Sequence, residues 1–443
     1  MKTRDLYPSC SFMINLNRPS QELEMQIHDL HLEAFTLNLL FLSELFYPHG
    51  GGAELATYLY AKLLSAAGVN VVVLTNKFPQ EREVSKGKNL LIYRLPLFQK
   101  NGSTKYSILS RFDVFFSRFF NKLVKWADVV YVPRFWYSAI LLAKLRKKPV
   151  VVHLHDYIPI CPLSNFFNAF EGTTCRGQKH CDFRCIYLWE KTRGRKILET
   201  VSSVVLNTTI ATPWRKMIKL SDAVVCVSQT HRKIIVEADA SFEAKTHFIY
   251  NPLPSISYRS VKGDDFGYFG GPNYLKGFHI LYQAVKGLNR EGREAVNVHV
   301  TNFSDFSSSF LTKLRKQGFF PHGRLTRKQL ESIYERIRCA IIPSIWQETF
   351  SYAVIEALLC GRLVIASEIG AIPEVTRNCD GVFLFPAGDV EQLMMSMSRV
   401  RDFGRESMID LGIKNREVIE RRFSNERTIK DFMRLLYSVA NDA

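Results

Sequence analysis

The segment TLNLLFLSELFYPHGGGAELATYLYAKLLSAAGVNVVVLTN, residues 36–76, decides the fold. It begins with a short apolar run, passes through three glycines into a helical pattern over 53–67, and ends in a second apolar run over 69–76. A strand, a glycine loop, a helix and a second strand make a βαβ unit, which is the start of a parallel sheet.

Two series of such units follow one another along the chain. The first continues with apolar runs typical of buried strands, at 90–97, 128–133, 148–155, 222–228 and 246–254. After a proline-marked linker near residue 252, the second series has strand patterns at 266–270, 296–301, 339–344, 362–367 and 381–388. We therefore predict an α/β protein with two Rossmann-like, doubly wound domains that face each other across a cleft.

The length and the net charge of the chain limit the classes of protein to which it can belong. The chain has 443 residues, and no apolar run reaches the roughly 20 residues that a membrane-spanning helix needs. The net charge of +17 points to an anionic partner, which is nucleic acid, a membrane surface or a phosphorylated substrate. No nucleic-acid-binding motif accompanies the charge, so we expect no nucleic acid partner. Residues 1–35 are charged and lack the apolar stretch of a secretory signal, which predicts an N-terminal extension on a cytoplasmic protein.

The glycine loop HGGGAE, residues 49–54, is the first candidate site. In open α/β sheets ligands bind at the carboxyl ends of strands, and this loop follows the first strand. Three glycines let the backbone approach a ligand closely, and the helix N-terminus behind them offers free amides and a positive dipole. The arrangement suits a phosphate, although an ordinary strand-to-helix turn has the same pattern.

Two segments of the second series carry charged candidates. FGGPNYLKGFHIL, residues 269–281, has Lys276 after a strand, either as a point charge for a diphosphate or as a surface lysine. PSIWQETFSYAVIEALLCG, residues 343–361, has Glu348 in a loop and Glu356 within the following helix. Carboxylates accept hydrogen bonds well from vicinal hydroxyls, whereas the spacing alone favours two surface charges.

A longer stretch, PSIWQETFSYAVIEALLCGRLVIASEIGAIPEV at 343–375, resembles the E-x7-E signature of the retaining glycosyltransferases of family 4, which have the GT-B fold. The resemblance extends to GGAE at 51–54, to the segment that ends in FIYNPLP, to GFHILYQAV and to GVFLFPAGDVEQL. It covers the chain from about residue 37 to the C-terminus, and the motifs in this order are specific.

The resemblance implies roles on the donor side of the cleft. Glu356 would bind the ribose hydroxyls of a nucleotide-diphosphate sugar, and Glu348 would contact the hydroxyls of the donor sugar. Lys276 would neutralise the diphosphate, whose charge grows as the glycosidic bond breaks. The helix N-terminus formed by three successive residues would assist it: Thr349, Phe350 and Ser351.

The resemblance also implies roles on the other side of the cleft. His155 matches the histidine that touches the transferred sugar, so the implied catalytic residues are His155, Glu348 and Lys276. Gly51 and Gly52 would line the diphosphate and the acceptor side. The family pattern has an arginine in the turn before the lysine, but Gly271 stands at that position, so one cation for the diphosphate is missing.

The function implied by the resemblance is a hexosyltransferase that moves a sugar from a nucleotide sugar to a hydroxyl of a glycan or a lipid-linked acceptor, with retention of configuration. No catalytic metal or other cofactor is expected. Two alternatives stay open. One is a non-catalytic descendant that binds a nucleotide or a glycan, and the other is a different GT-B enzyme such as an epimerase.

Four cysteines fall within 25 residues, at Cys161, Cys175, Cys181 and Cys185. A structural zinc site would hold this loop in place without a large core, and two disulfides would do the same. Buried thiols are the third possibility, because the spacing matches no standard zinc motif. The loop follows His155, so we expect it to shape the acceptor pocket.

The segment 106–126 alternates aromatic rings with cations. On a helix, four cations would form one stripe: Arg111, Arg118, Lys122 and Lys125. Five phenylalanines would fill the remaining face: Phe112, Phe115, Phe116, Phe119 and Phe120. Such a helix could lie peripherally on the anionic inner face of a membrane, or it could pack its rings on the core and leave its cations in water.

The domain limits follow from these patterns. We expect an extension over 1–35, an acceptor-side domain over 36–250 with the cysteine-rich loop 161–185, and a donor-side domain over 251–423. The tail at 424–443 has apolar residues at helical spacing and is predicted to cross back onto the first domain as a helix.

Overall fold

The computed structural model describes residues 37–96, 117–175, 183–194, 196–290 and 296–442. The first half contains ten strands: β1 (Asn38–Leu42), β2 (Asn70–Asn76), β3 (Val84–Gly87), β4 (Leu90–Leu95), β5 (Val129–Val132), β6 (Val150–Leu154), β7 (Phe167–Asn168), β8 (Thr173–Thr174), β9 (Ala223–Cys226) and β10 (Thr246–Phe248). Its helices are α1 (Gly52–Ala66), α2 (Arg118–Trp126), α3 (Ser138–Leu145), α4 (Phe183–Thr192), α5 (Ile197–Lys219) and α6 (Gln229–Ala238).

Eight of these strands form the first sheet, in the order β10–β9–β6–β5–β1–β2–β4–β3. All neighbours are parallel except β3 and β4. The central strands are buried on both faces, which explains why they are continuous apolar runs and not alternating patterns. Because β1, β5 and β6 are parallel neighbours, the residues that follow them meet at one edge of the sheet.

The second half forms a sheet of its own. Its strands are β11 (Asp265–Tyr268), β12 (Val298–Val300), β13 (Phe319–Pro321), β14 (Ile337–Ile342), β15 (Leu363–Ser367) and β16 (Val382–Phe385). They are parallel in the order β13–β12–β11–β14–β15–β16. The helices around them are α7 (Phe278–Arg290), α8 (Ser308–Arg315), α9 (Arg327–Arg336), α10 (Tyr352–Leu359), α11 (Ile372–Val375), α12 (Val390–Arg401), α13 (Arg405–Arg422) and α14 (Asn425–Asn441).

The predicted fold class is confirmed: two parallel α/β sheets of the Rossmann type face each other, as in the GT-B fold. The loops at their facing edges are in contact, because the Ser228 hydroxyl donates to the Thr349 carbonyl oxygen over 2.7 Å. One apolar cluster also joins Ala56 and Val227 of the first half to Tyr352 of the second. The two edges therefore enclose a cleft.

The last helix, α14, lies against the first sheet. Ser424 caps its N-terminus by accepting a hydrogen bond from the Arg427 amide over 3.4 Å. Its apolar stripe is buried in the same cluster as Leu39 and Phe41 of β1, and consists of Ile429, Phe432, Met433, Leu436 and Val439. Burial of this stripe holds the C-terminal tail on the half of the chain that comes first.

The described part of the basic, aromatic segment is α2. Ser117 caps this helix, Phe120 and Val124 are buried, and three cations are exposed: Arg118, Lys122 and Lys125. Phe119 is 37% exposed and packs its edge against Tyr93. Arg111, Phe112, Phe115 and Phe116 lie outside the described residues. The described turns therefore have the pattern of an amphipathic helix on the core, and contact with a membrane stays a prediction.

Two helices were not anticipated. Helices α4 and α5 occupy 183–192 and 197–219. The predicted cysteine-rich loop ends at residue 185, inside α4, and the sequence predicts no element between that point and residue 222. Trp214 and Ile218 of α5 are buried in the core of the first half, whereas the apolar residues at the start of α5 are exposed. Within the described residues, no helix combines the length and the apolar character that crossing a bilayer requires.

Candidate functional site

Glu348 lies in the loop between β14 and α10 and is 3% exposed. Its Oε1 accepts two hydrogen bonds, from Lys276 Nζ over 2.7 Å and from the Ser344 hydroxyl over 2.6 Å. The loop is fixed from behind, because the Ala371 amide donates to the Glu348 carbonyl oxygen over 2.7 Å. A Cβ atom at Gly370 would collide with the same carbonyl, so only glycine allows this approach. The carboxylate is therefore held in one position.

Lys276 ends the turn that follows β11. Gly277, with φ of 75°, packs so closely on Pro343 that a Cβ atom would collide with its carbonyl oxygen. This contact joins the two loops and brings the lysine to Glu348. The ammonium also lies 5.1 Å from the centroid of the Trp346 ring. The lysine side chain is 28% exposed, so its cation is available to a ligand in the cleft.

Glu356 lies on α10 and is 1% exposed. Its Oε1 has no hydrogen-bond partner among the described residues. Burial raises the pKa of this carboxyl well above its usual value, and the charge of Arg327 opposes the shift only in part. A buried acceptor without a donor is costly, and a ligand hydroxyl would remove that cost.

Helix α10 begins with an open N-terminus. Ser351 is its N-cap residue, in the left-handed region with φ of 61°, and no side chain caps the helix. Thr349 is engaged elsewhere, because its hydroxyl donates to the His155 carbonyl oxygen over 3.1 Å. The Phe350 ring is buried against Tyr250 and other rings, so only its backbone can take part in binding. The helix start therefore offers backbone amides rather than side chains.

His155 follows β6 at the edge of the first sheet. Its Nε2 is buried and has no hydrogen-bond partner among the described residues, and its ring stacks on His153 with centroids 4.6 Å apart. Burial holds the pKa of His155 well below its usual value, and the neighbouring His153 and Arg134 lower it further. The imidazole is therefore neutral at pH 7, and its residue touches the loop that carries Glu348.

The glycine loop packs against the start of α10. A Cβ atom at Gly52 would lie 3.1 Å from Tyr352 Cδ2, which is tight contact. The Gly51 amide donates to Glu54 Oε2 over 2.6 Å, and Gly50 has φ of 101°, where a side chain is strained. The two predicted glycines thus lie beside the N-terminus of α10, and the Gly51 amide is already occupied by Glu54.

The turn before Lys276 needs glycine for a backbone reason. Gly271 has φ of 64°, and its carbonyl oxygen accepts a hydrogen bond from the Tyr268 hydroxyl over 2.8 Å. An arginine at this position would have to adopt the left-handed region, which L-residues rarely do. Glycine therefore allows a turn conformation here that an arginine would adopt only with strain.

A cluster of acidic and basic side chains at the edge of the first sheet was not predicted from the sequence. Arg134, after β5, makes an ion pair with Glu54 and lies 3.8 Å from Glu44, which follows β1. Glu44 is fully buried, and neither of its oxygens has a hydrogen-bond partner among the described residues. Burial raises its pKa to about 7, against the opposing charge of Arg134. Their positions after adjacent parallel strands were the signal that could have found them.

A second missed contact joins the two halves. The Glu374 carboxylate on α11 accepts hydrogen bonds from the amides of Gln229 and Thr230, at 2.9 and 2.8 Å, and from the Tyr250 hydroxyl at 2.8 Å. It therefore caps the N-terminus of α6, where a negative charge is favourable. No spacing in the sequence signals such a cap, because its partners are more than a hundred residues apart.

Three of the four cysteines in the cysteine-rich loop lie within the described residues. Cys161, Cys175 and Cys185 are thiols and not disulfides, and Cys181 lies outside the described part of the chain. Burial raises the pKa of Cys161 to about 11, which keeps it protonated. The Cys185 thiol accepts from the Ala169 amide over 3.5 Å. No group of three or more metal-binding side chains occurs in the described ranges, so the zinc site stays a prediction.

Comparisons with known proteins agree with this fold. Residues 50–254 match the model of "Glycosyltransferase Family 4", and residues 263–402 match that of "Glycosyl transferases group 1". A 42.6 kDa protein from the cps region of Klebsiella pneumoniae is 21% identical, over 81% of this chain and 92% of its own.

Two solved structures have a similar fold at low sequence identity. Sucrose-phosphate synthase from Thermosynechococcus elongatus superposes with a TM-score of 0.66 at 14% identity, over 92% of this chain and all of that one. The Anabaena protein HepE, in complex with UDP and glucose, gives a TM-score of 0.60 at 17% identity, over 91% of this chain and all of that one.

Proposed function

We propose that this chain, which belongs to the GT-B glycosyltransferases, transfers a hexose from a nucleotide-diphosphate sugar to a hydroxyl of a glycan or a lipid-linked acceptor, with retention of configuration. One observation carries the proposal. Glu348, which is paired with Lys276, lies just before the open N-terminus of α10. That helix carries the buried Glu356, whose Oε1 has no hydrogen-bond partner among the described residues, and the Thr349 hydroxyl donates to the His155 carbonyl oxygen across the cleft. The complex of HepE with UDP and glucose supports a nucleotide sugar as the donor.

The donor would be held by both glutamates and by the helix start. Glu356 takes the ribose hydroxyls, because its buried Oε1 lacks a donor and its raised pKa lets the carboxyl donate as well as accept. The diphosphate lies at the N-terminus of α10, where amides and the helix dipole favour an anion. Glu348 takes a hydroxyl of the donor sugar, with the Ser344 hydroxyl holding its carboxylate in place.

Lys276 would change partner when the donor binds. It is paired with Glu348 in the ligand-free chain, and a diphosphate is the stronger attraction because it carries more charge. As the glycosidic bond breaks, negative charge grows on the leaving diphosphate, and the lysine stabilises that charge. The ion pair thus keeps the cation in position until the substrate arrives.

The acceptor hydroxyl would attack the face that the diphosphate leaves. A diphosphate oxygen takes the proton of the hydroxyl, so this mechanism requires neither a protein base nor a metal cofactor. The neutral imidazole of His155 can hydrogen-bond a hydroxyl of the transferred sugar without adding charge. The close contact between the two sheet edges excludes water, which suppresses hydrolysis of the donor.

A panel of nucleotide sugars tests the proposal. Each donor is incubated with the chain, with and without membrane extract as the acceptor, and release of nucleoside diphosphate is measured. We expect release with one donor, and analysis of the product by NMR should show the configuration of the donor. An inverted product would refute the retaining mechanism alone.

Gly271 is the observation that favours a non-catalytic binding protein, because a cation for the diphosphate is missing from that turn. Calorimetry with nucleoside diphosphates separates the two functions. Binding without release from any donor would establish the binding protein, and conversion of the donor sugar without transfer would establish another GT-B enzyme such as an epimerase. A cytoplasmic location, peripheral on the inner face of the membrane, completes the proposal.

A further inference from the structure

Helices α4 and α5 form a hairpin that exposes an unusual number of large apolar side chains. We name residues 183–194 and 196–206, together with Phe170, the apolar hairpin. The two most exposed members are Leu198, at 82%, and Ile197, at 76%. Six more are also exposed: Phe170, Phe183, Tyr187, Val201, Val205 and Leu206. Scattered apolar residues are normal on a surface, but a contiguous group of this size marks an interaction site.

In the first half of helix α5, polar side chains are buried and apolar side chains are exposed. Its buried positions are small and polar, at Thr200, Ser203 and Asn207, which are 2–3% exposed. Asn207 Nδ2 donates back to the Ser203 carbonyl oxygen over 2.8 Å and to the Ser203 hydroxyl over 3.1 Å, so these two side chains bond within the helix. Ile197 and Val201 point outward. Exposure of these apolar side chains to water costs free energy, and burial of the outward face against a partner would remove that cost.

The outward face contains an apolar groove of about 490 Å³. Phe183, Tyr187 and Leu188 of α4 form one wall, and Val201 and Val205 of α5 form the other. Among the residues that the structure describes, Arg184 is the one charged side chain that lines the groove. A groove with these walls fits a hydrocarbon chain and offers few partners to a polar ligand.

The rim of the apolar hairpin is basic. Arg184, Lys191 and Lys196 are exposed, and between residues 183 and 199 the exposed acid among the described residues is Glu199. The chain as a whole carries a net charge of +17. Apolar side chains surrounded by cations complement a surface with acyl chains below negative head groups. A second copy of the chain is a poorer partner, because the two basic rims would repel each other.

We infer that the apolar hairpin docks on the surface of an anionic lipid bilayer. Ile197 and Leu198 enter the acyl region, the groove receives an acyl chain, and the surrounding cations bind the head groups. This inference rests on the lipid-linked acceptor of the proposed function, since docking would hold the chain on the surface that contains such acceptors. It replaces α2 as the main membrane contact, because Phe120 and Val124 of that helix are buried.

Sedimentation with vesicles, without any donor, tests the inference. The full chain should bind vesicles that contain phosphatidylglycerol and bind phosphatidylcholine vesicles weakly, with the affinity falling as salt rises. The double variant Ile197→Asp with Leu198→Asp should lose about tenfold or more in vesicle affinity. Lys191→Gln with Lys196→Gln should lower the affinity and flatten its salt dependence.

Two matched control variants test whether the apolar hairpin, and not another surface of the chain, binds the vesicles. Met395→Asp changes an apolar side chain that is 63% exposed on the other half of the chain, and it should bind vesicles as the wild type does. Arg118→Gln with Lys122→Gln should have a smaller effect than the hairpin variants. The altered residues face outward, so thermal unfolding of all variants should match the wild type.

Several results would overturn the inference. These are no binding of the wild type to anionic vesicles, equal binding by the hairpin variants, or a loss confined to the α2 variant. A dimer in solution that Ile197→Asp with Leu198→Asp converts to a monomer would identify a second copy as the partner. Failure here leaves nucleotide release from soluble donors unaffected, so it is distinct from failure of the proposed enzyme activity.

Discussion

The two edges of the cleft differ in how their charges are arranged. At the edge of the second sheet, Glu348 Oε1 accepts hydrogen bonds from Lys276 and Ser344, while Oε1 of the buried Glu356 has no partner among the described residues. At the edge of the first sheet, Arg134 is shared between Glu54 and the buried Glu44.

This difference indicates which charged side chains are available to bind a ligand. Lys276 is partly exposed and paired with one carboxylate, so an incoming anion can take it over. Arg134 bridges two buried carboxylates, and its removal would leave both without a cation. We therefore expect the second-sheet charges to affect catalysis and the first-sheet charges to affect stability, and the predictions below test that division.

The largest effect on stability is expected for Arg134→Met. The substitution leaves Glu54 buried without its counter-ion, and breaking such a pair lowers the free energy of unfolding by about 3–5 kcal/mol. Denaturant unfolding measures the loss. Arg118→Met removes an exposed cation from the same half and should change stability little. If the Arg134 variant keeps its stability and loses only activity, Arg134 takes part in ligand binding and not mainly in stability.

The largest effect on catalysis is expected for Lys276→Ala. Without the ammonium, charge on the leaving diphosphate is less stabilised, and kcat should fall by about 10²–10³. Steady-state release of nucleoside diphosphate measures the change, with Lys313→Ala as an exposed control. Unchanged turnover would show that the Lys276–Glu348 pair is structural.

Glu44→Gln tests the pH dependence of stability. Burial raises the pKa of Glu44 from 4.5 to about 7, so the folded state holds a proton that the unfolded state releases between those values. The contribution is fully present below about pH 4.5, is lost as pH rises towards 7, and amounts to about 3 kcal/mol. The variant should therefore gain stability relative to the wild type between pH 5 and about pH 8.

Unfolding curves recorded across this pH range measure the difference between the two proteins. Glu171→Gln, at an exposed acid, serves as the control and should show no such trend. Parallel stability curves for Glu44→Gln and the wild type would mean that Glu44 is ionised in the folded chain throughout the range.

The smallest effect is expected for Glu356→Gln. The amide keeps one acceptor oxygen, but its NH2 group replaces the second oxygen and cannot accept from a ribose hydroxyl, so affinity for the donor nucleotide should fall about tenfold. The raised pKa of Glu356 makes the neutral amide a close mimic, so stability should be retained. Calorimetry measures the affinity, and Glu406→Gln is the exposed control. An unchanged affinity would refute the ribose assignment.

The sequence alone determined the two α/β halves. Buried parallel strands are continuous apolar runs because both faces are covered, and glycine loops between strand and helix mark the βα turns. The motif around Glu348 and Glu356 was equally visible, because its residues lie within one loop and one helix. Local spacing carries this information, so it can be read without the tertiary structure.

Only the tertiary structure shows which charged side chains lie next to each other. Glu44 and Arg134 are 90 residues apart in sequence and adjacent only because β1 and β5 are parallel neighbours. The exposed apolar face at the start of α5 was likewise not predicted, because local spacing does not say which side of a helix the distant segments cover. Contacts between side chains from distant segments depend on strand order and on burial. The local spacing of residues in the sequence shows neither of these.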